Sequence, residues 1–172
     1  GNHTWFWTRG GGPAQIHYST ADGRDFVWLV GERRILAGEW RVESNTSANG
    51  QVMTQICLRY PGVRRQDLSA SWNCRPAGTM FQEMQEREAG DPLRFSGRTR
   101  AKFVLTQTPA SLAEVEGRVA ARHALQHAEV DGAGNINLAL IGDVPASGRT
   151  VRQLEEYIGG RYRASYLQNP QV

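Results

Sequence analysis

The chain has 172 residues, of which 40% are hydrophobic, five are tryptophan and 22% are charged, enough apolar surface for a folded core and against wholesale disorder. No apolar run approaches the roughly 20 residues that cross a bilayer, and no charged-then-apolar leader stands at the front, so no transmembrane segment is expected. The net charge of +3 comes almost wholly from arginine, Lys102 being the only lysine; guanidinium suits bidentate pairing with carboxylate or phosphate, although an ordinary solvated surface has the same composition.

In chain order, Gly1-Asn2-His3-Thr4 opens without a methionine, which leaves room for a leader removed before Gly1. Trp5, Phe6 and Trp7 follow. Three consecutive aromatics cannot all face inward on one strand, so at least one is expected to pack on a partner or cap a sheet. From Gln15 to Cys74 apolar residues alternate with period two, the pattern of antiparallel strands. Gln15–Thr20 meets Asp25–Val30 across Ala21-Asp22-Gly23-Arg24, where Asp-Gly supplies the positive φ of a tight hairpin. Ile35–Glu43 and Val52–Tyr60 continue the meander, and Trp28, Trp40, Tyr60 and Trp72 read as core.

After Cys74 the character changes. Thr79-Met80-Phe81-Gln82 has capping-box spacing and predicts a short helix closed by Gly90, which sets a module boundary at 77/78. Phe95 and Ala101–Leu105 suit strand. Ser111-Leu112-Ala113-Glu114 opens a helix expected to reach about Ala128, with Leu112, Val115 and Val119 at helical spacing. Asp131-Gly132-Ala133-Gly134 is a turn, Asn135–Leu140 a strand, and Thr150-Val151-Arg152-Gln153 opens a last helix carrying Leu154, Ile158 and Tyr162 on one face. Gly159-Gly160 weakens it, at about 1 kcal/mol per glycine against alanine. The fold class read from this pattern is α+β: a disulfide-bonded antiparallel β-meander over 1–77, then a small mixed α/β module over 78–172.

Candidate chemistry is sparse. Cys57 and Cys74 lie on segments placed to be neighbouring strands, which fits a disulfide; two buried thiols are the alternative. His123 and His127 are four apart on a helix, but two ligands are too few for a metal site. His3 and His17 have no evident nucleophile or acid partner. No nucleophile elbow, phosphate loop or dinucleotide fingerprint occurs, so no catalytic residue, metal or cofactor is assigned. Arg94, Arg98, Arg100 and Lys102 alternate along a strand or loop, a place where an anionic polymer could dock or where charge simply protects an edge. Nucleic acid is disfavoured by the disulfide and the lack of a reading motif.

The ordered set Asp131-Gly132, Ile136, Leu138, Leu140, Ile141-Gly142, Gly148, Thr150 and the exit Leu167-Gln168-Asn169-Pro170-Gln171-Val172 resembles the polysaccharide export domain, the periplasmic domain of outer-membrane exporters of capsule and exopolysaccharide. Gly90-Asp91-Pro92-Leu93-Arg94-Phe95 is a loose match to its front half, while Ala139, Arg149 and Gly159-Gly160 depart from the usual pattern. The resemblance implies a periplasmic or outer-membrane-associated, non-catalytic element of polysaccharide export that assembles with itself or with an export channel, and whose polymer is neutral or acidic. The other reading is a small secreted ligand-binding or inhibitor protein built on the β module.

Overall fold

The computed structural model describes residues 1–8, 13–105, 107–138 and 140–166. It divides into two compact units, Gly1–Thr108 and Pro109–Val172. The boundary expected at 77/78 therefore falls inside the first unit.

The first unit is a seven-stranded antiparallel sheet in the order β6-β5-β4-β3-β2-β1-β7. Its strands are β1 (His3–Trp7), β2 (Gln15–Ser19), β3 (Arg24–Leu29), β4 (Ile35–Thr46), β5 (Val52–Arg59), β6 (Asn73–Pro76) and β7 (Met84–Ala89), with helix α1 (Ala77–Glu83) between the last two. The meander is as expected: Ile16 stands opposite Trp28 and Tyr18 opposite Phe26, with Gly23 at φ 88° in the hairpin turn. The segment after Cys74 differs. Pro76 caps α1 without a side-chain hydrogen bond, so the helix starts before Thr79, and the residues expected to prolong it form β7 instead. β7 pairs with β1 from Ala89 opposite His3 to Met84 opposite Trp7, satisfying backbone groups that would otherwise form an open edge.

β1 buries both faces, which accounts for its aromatic run. Trp5 and Phe6 are buried on opposite sides and Trp7 is half-buried on the side of Trp5. On the Phe6 side, Trp28 meets Phe95 and Phe103 edge to face, at 6.1 and 5.7 Å between ring centroids, so an irregular segment within 91–105 covers the sheet where strand was expected. Of the four aromatics read as core, Trp28 and Tyr60 are buried, whereas Trp40 and Trp72 are half-buried and Trp72 lies under the guanidinium groups of Arg41 and Arg59.

The second unit contains helix α2 (Leu112–Leu125), the hairpin β8 (Asn135–Leu138) and β9 (Gly142–Pro145), and helix α3 (Val151–Tyr166). Both helix starts are capped: Ser111 Oγ accepts from the Glu114 N–H while the Glu114 carboxylate accepts from the Ala110 N–H, and Thr150 and Gln153 exchange the two bonds of a full capping box. Ile136, Leu138, Ile141, Val144, Leu154 and Ile158 share one core with Ala121 of α2. Leu140 is a correction. The strand expected to run to Leu140 ends at Leu138, and Leu140 is 68% exposed at φ 76° while Ile141 enters the core.

Gly159 and Gly160 do not interrupt α3. A Cβ on Gly159 would sit 3.3 Å from the Gly117 carbonyl oxygen, and one on Gly117 would sit 3.0 Å from that of Gly159, so the two glycines let α2 and α3 pack backbone to backbone. Gly160 has no comparable neighbour, the nearest atom lying 4.0 Å away on Arg163. Gly159→Val is expected to destabilise by about 1–3 kcal/mol through overpacking. Gly160→Ala is expected to stabilise by up to about 1 kcal/mol through helix propensity. Urea denaturation of the two variants checks the pair, and equal effects would show that the helices do not cross at Gly159.

Candidate functional site: a cleft in the curled sheet

β6 and β1 are five places apart in the sheet order, which in a flat sheet is about 24 Å at ~4.8 Å per strand. Yet the Arg75 guanidinium of β6 lies 5.6 Å from the centroid of the Trp7 ring of β1. The sheet is therefore curled, and α1 bridges the gap: Glu83 accepts from both terminal nitrogens of Arg75 at 2.6 Å and from the Trp7 indole N–H at 3.0 Å. Right-handed twist drives such curling, and a ligand-sized hollow is a usual outcome.

The hollow side contains a cleft of about 570 Å³. Trp7, Gln15, His17, Tyr60, Asn73 and Arg75 are among its lining residues, with Leu58, Leu68 and Met80 supplying apolar surface. Its floor is a buried polar network. Asp25, with no exposure, accepts from His17 Nδ1 at 2.8 Å, from the Tyr60 hydroxyl and from the Ser19 hydroxyl at 2.6 Å. The indole of Trp5 stacks on the His17 ring at 3.9 Å and donates to Ser19 Oγ, while the Gln15 amide meets His17 Nε2 at 3.0 Å. Burial first, and then the Asp25 charge, push the Tyr60 hydroxyl well above the ordinary phenol range, so it remains a donor.

His17 thus has an acid partner, contrary to expectation. The signal was present in the hairpin: Ser19 pairs with Asp25, which places His17, two residues back, on the same face as that carboxylate. The Tyr60 hydroxyl also lies 3.1 Å from His17 Nδ1, and it and the Ser19 hydroxyl both donate to Asp25.

Cys57 and Cys74 stand opposite each other on β5 and β6 and form a disulfide, worth about 3 kcal/mol for a loop of this length. Glu43 lies near both sulfurs, but these are bonded to each other and offer no thiolate. Arg94 and Arg100 are exposed and Arg98 and Lys102 half-buried along the irregular segment, where Arg100 forms an isolated bridge with Arg34. The His123 and His127 rings lie 5.3 Å apart on the last turn of α2 and just beyond it.

In the second unit the Asp131 carboxylate accepts from the N–H groups of Ala133 and Asn135, tightening the turn before β8, and the positive φ there belongs to Gly134 rather than Gly132. Gly142 and Gly148 also adopt positive φ, at 70° and 76°. Asn169 and Pro170, like Ala139, lie outside the described residues.

Residues 96–172 match the family model described as polysaccharide biosynthesis/export protein, so the export-domain resemblance holds for the C-terminal part of the chain. The cleft, built from residues before 81, lies outside the matched span. No curated protein and no solved structure gives a significant match.

Proposed function

We propose that the chain is a non-catalytic component of polysaccharide export in the cell envelope, acting through self-association or by docking to an outer-membrane export channel. The observation that carries this reading is the family match over 96–172. The second unit supports it, because the turn, hairpin and capped helix on which the resemblance rests pack as one core. That unit also leaves Val130, Leu140, Val151 and Tyr157 exposed, apolar surface suited to a protein partner. The disulfide suits an oxidising compartment, as the periplasm is. Among the described residues no helix is long and apolar enough to cross a membrane. Arg94, Arg98, Arg100 and Lys102 would supply positive charge to a polymer bearing acidic groups.

Two measurements test the reading. Light scattering across a concentration series should show oligomers, weakened tenfold or more, about 1.4 kcal/mol, by Leu140→Asp combined with Val151→Asp. Deleting the gene should reduce surface polysaccharide. A strict monomer in an organism whose deletion strain exports normally would overturn the proposal.

A further inference from the structure

The cleft in the first unit has a function of its own to account for. Its volume of about 570 Å³ falls within the roughly 300–1,000 Å³ of small-ligand sites, which favour the mouths of curled or closed sheets. What it would bind follows from its charge and polarity. Arg75 is held by both oxygens of Glu83, and Arg65 donates to both Asp67 and Glu32, so its guanidinium groups are already neutralised. A phosphate or carboxylate ligand would have to compete with those carboxylates. An aliphatic or fused aromatic ligand would have to desolvate Gln15, Gln66, Asn73 and Arg75 without replacing their hydrogen bonds.

A polyhydroxylated ring satisfies both sets of groups. Its C–H surface suits the indole of Trp7 and the side chains of Leu58 and Met80, while adjacent hydroxyls each donate and accept, matching the planar amides, which do both, and the guanidinium, which only donates. The floor is prearranged for this: the Gln15 amide is fixed against His17, which is fixed in turn by Asp25 and the stacked Trp5. Groups ordered before the ligand arrives cost less on binding.

We infer that this cleft is a saccharide-binding site that reads the hydroxyls of a short segment of polysaccharide, with Trp7, Asn73 and Arg75 as contacts. The inference takes its ligand class partly from the proposed export function, but it concerns a different unit of the protein and is tested separately.

The test is calorimetric titration of the purified full chain with neutral tetrasaccharides of glucose, of mannose and of galactose, and with tetragalacturonate as the acidic comparison. Concentrations up to roughly 10 mM reach interactions of only a few kcal/mol. At least one neutral tetrasaccharide should bind saturably, and Trp7→Ala and Asn73→Ala should each weaken it tenfold or more. Asn73 is exposed, so its variant keeps the fold if the Trp7 variant does not, and near-UV circular dichroism reports on both. Three results would overturn the assignment: no neutral sugar bound, binding of tetragalacturonate alone, or binding unchanged in a folded Asn73→Ala protein. A chain that binds sugar while its deletion strain exports normally would retain the cleft and sink the export reading; the converse pair of results would do the reverse.

Discussion

Asp25→Ala should cost about 3–5 kcal/mol of stability, the range expected when one member of a buried charged network is removed. The Asp25 carboxylate is fully enclosed and takes hydrogen bonds from His17, Tyr60 and Ser19, so its loss leaves three donors in the floor of the cleft without their acceptor. Asp25→Asn keeps the volume but sets an amide NH₂ among groups that donate, and it should also destabilise. Chemical denaturation measures both variants. A loss below about 1 kcal/mol for Asp25→Ala, no more than an ordinary hydrogen bond, would show that the network does not form in solution.

The same network gives a pH dependence whose sign is fixed by Tyr60. Its pKa in the folded protein is raised above the unfolded value by burial and by Asp25. Its contribution is therefore complete below the unfolded value of about 10 and is lost as the pH climbs above it, because the unfolded chain then gives up a proton that the folded one retains. Denaturation midpoints above that pH should fall more steeply in the wild-type protein than in Tyr60→Phe.

Trp28→Ala should cost a similar amount, about 3–5 kcal/mol for truncating a large buried aromatic. Trp28 is 1% exposed and makes edge-to-face contacts with Phe95 and Phe103, and its indole N–H donates to the Glu32 carbonyl at 2.8 Å. The variant should also loosen the segment that covers this side of the sheet. Trypsin should then cut faster at Arg98, Arg100 and Lys102, while cleavage in the second unit, for example at Arg152, stays unchanged. Strong destabilisation without faster cleavage at those three sites would mean that residues 91–105 do not depend on Trp28 for their position.

This contact also ties residues beyond 77 to the first core. Composition does change after Cys74, but β7 joins the sheet and Phe95 and Phe103 pack on Trp28, so the polypeptide continues to serve the first core up to Thr108. Met84–Ala89 carries no alternation of apolar residues and reads more readily as helix. Its strand conformation comes from the unpaired edge of β1, which no local pattern reports.

What the sequence determined by itself was the set of features governed by near neighbours along the chain. These are the period-two strands β2 to β5, the Asp-Gly hairpin, the caps of α2 and α3 and the apolar stripe of Leu154 and Ile158. Each follows from backbone geometry or side-chain spacing within a few residues. Tertiary structure alone decided the rest: the curling that brings Arg75 to Trp7 and opens the cleft, the meeting of Tyr60 with Asp25, and the exchange of Leu140 for Ile141 in the second core. It also turned Gly159 from a weak point in a helix into the place where two helices touch. The physical reason is common to all four. They depend on distances between residues far apart in the chain, or on which way one turn sends the next side chain, and these are set by packing whole elements together rather than by the preference of any one residue.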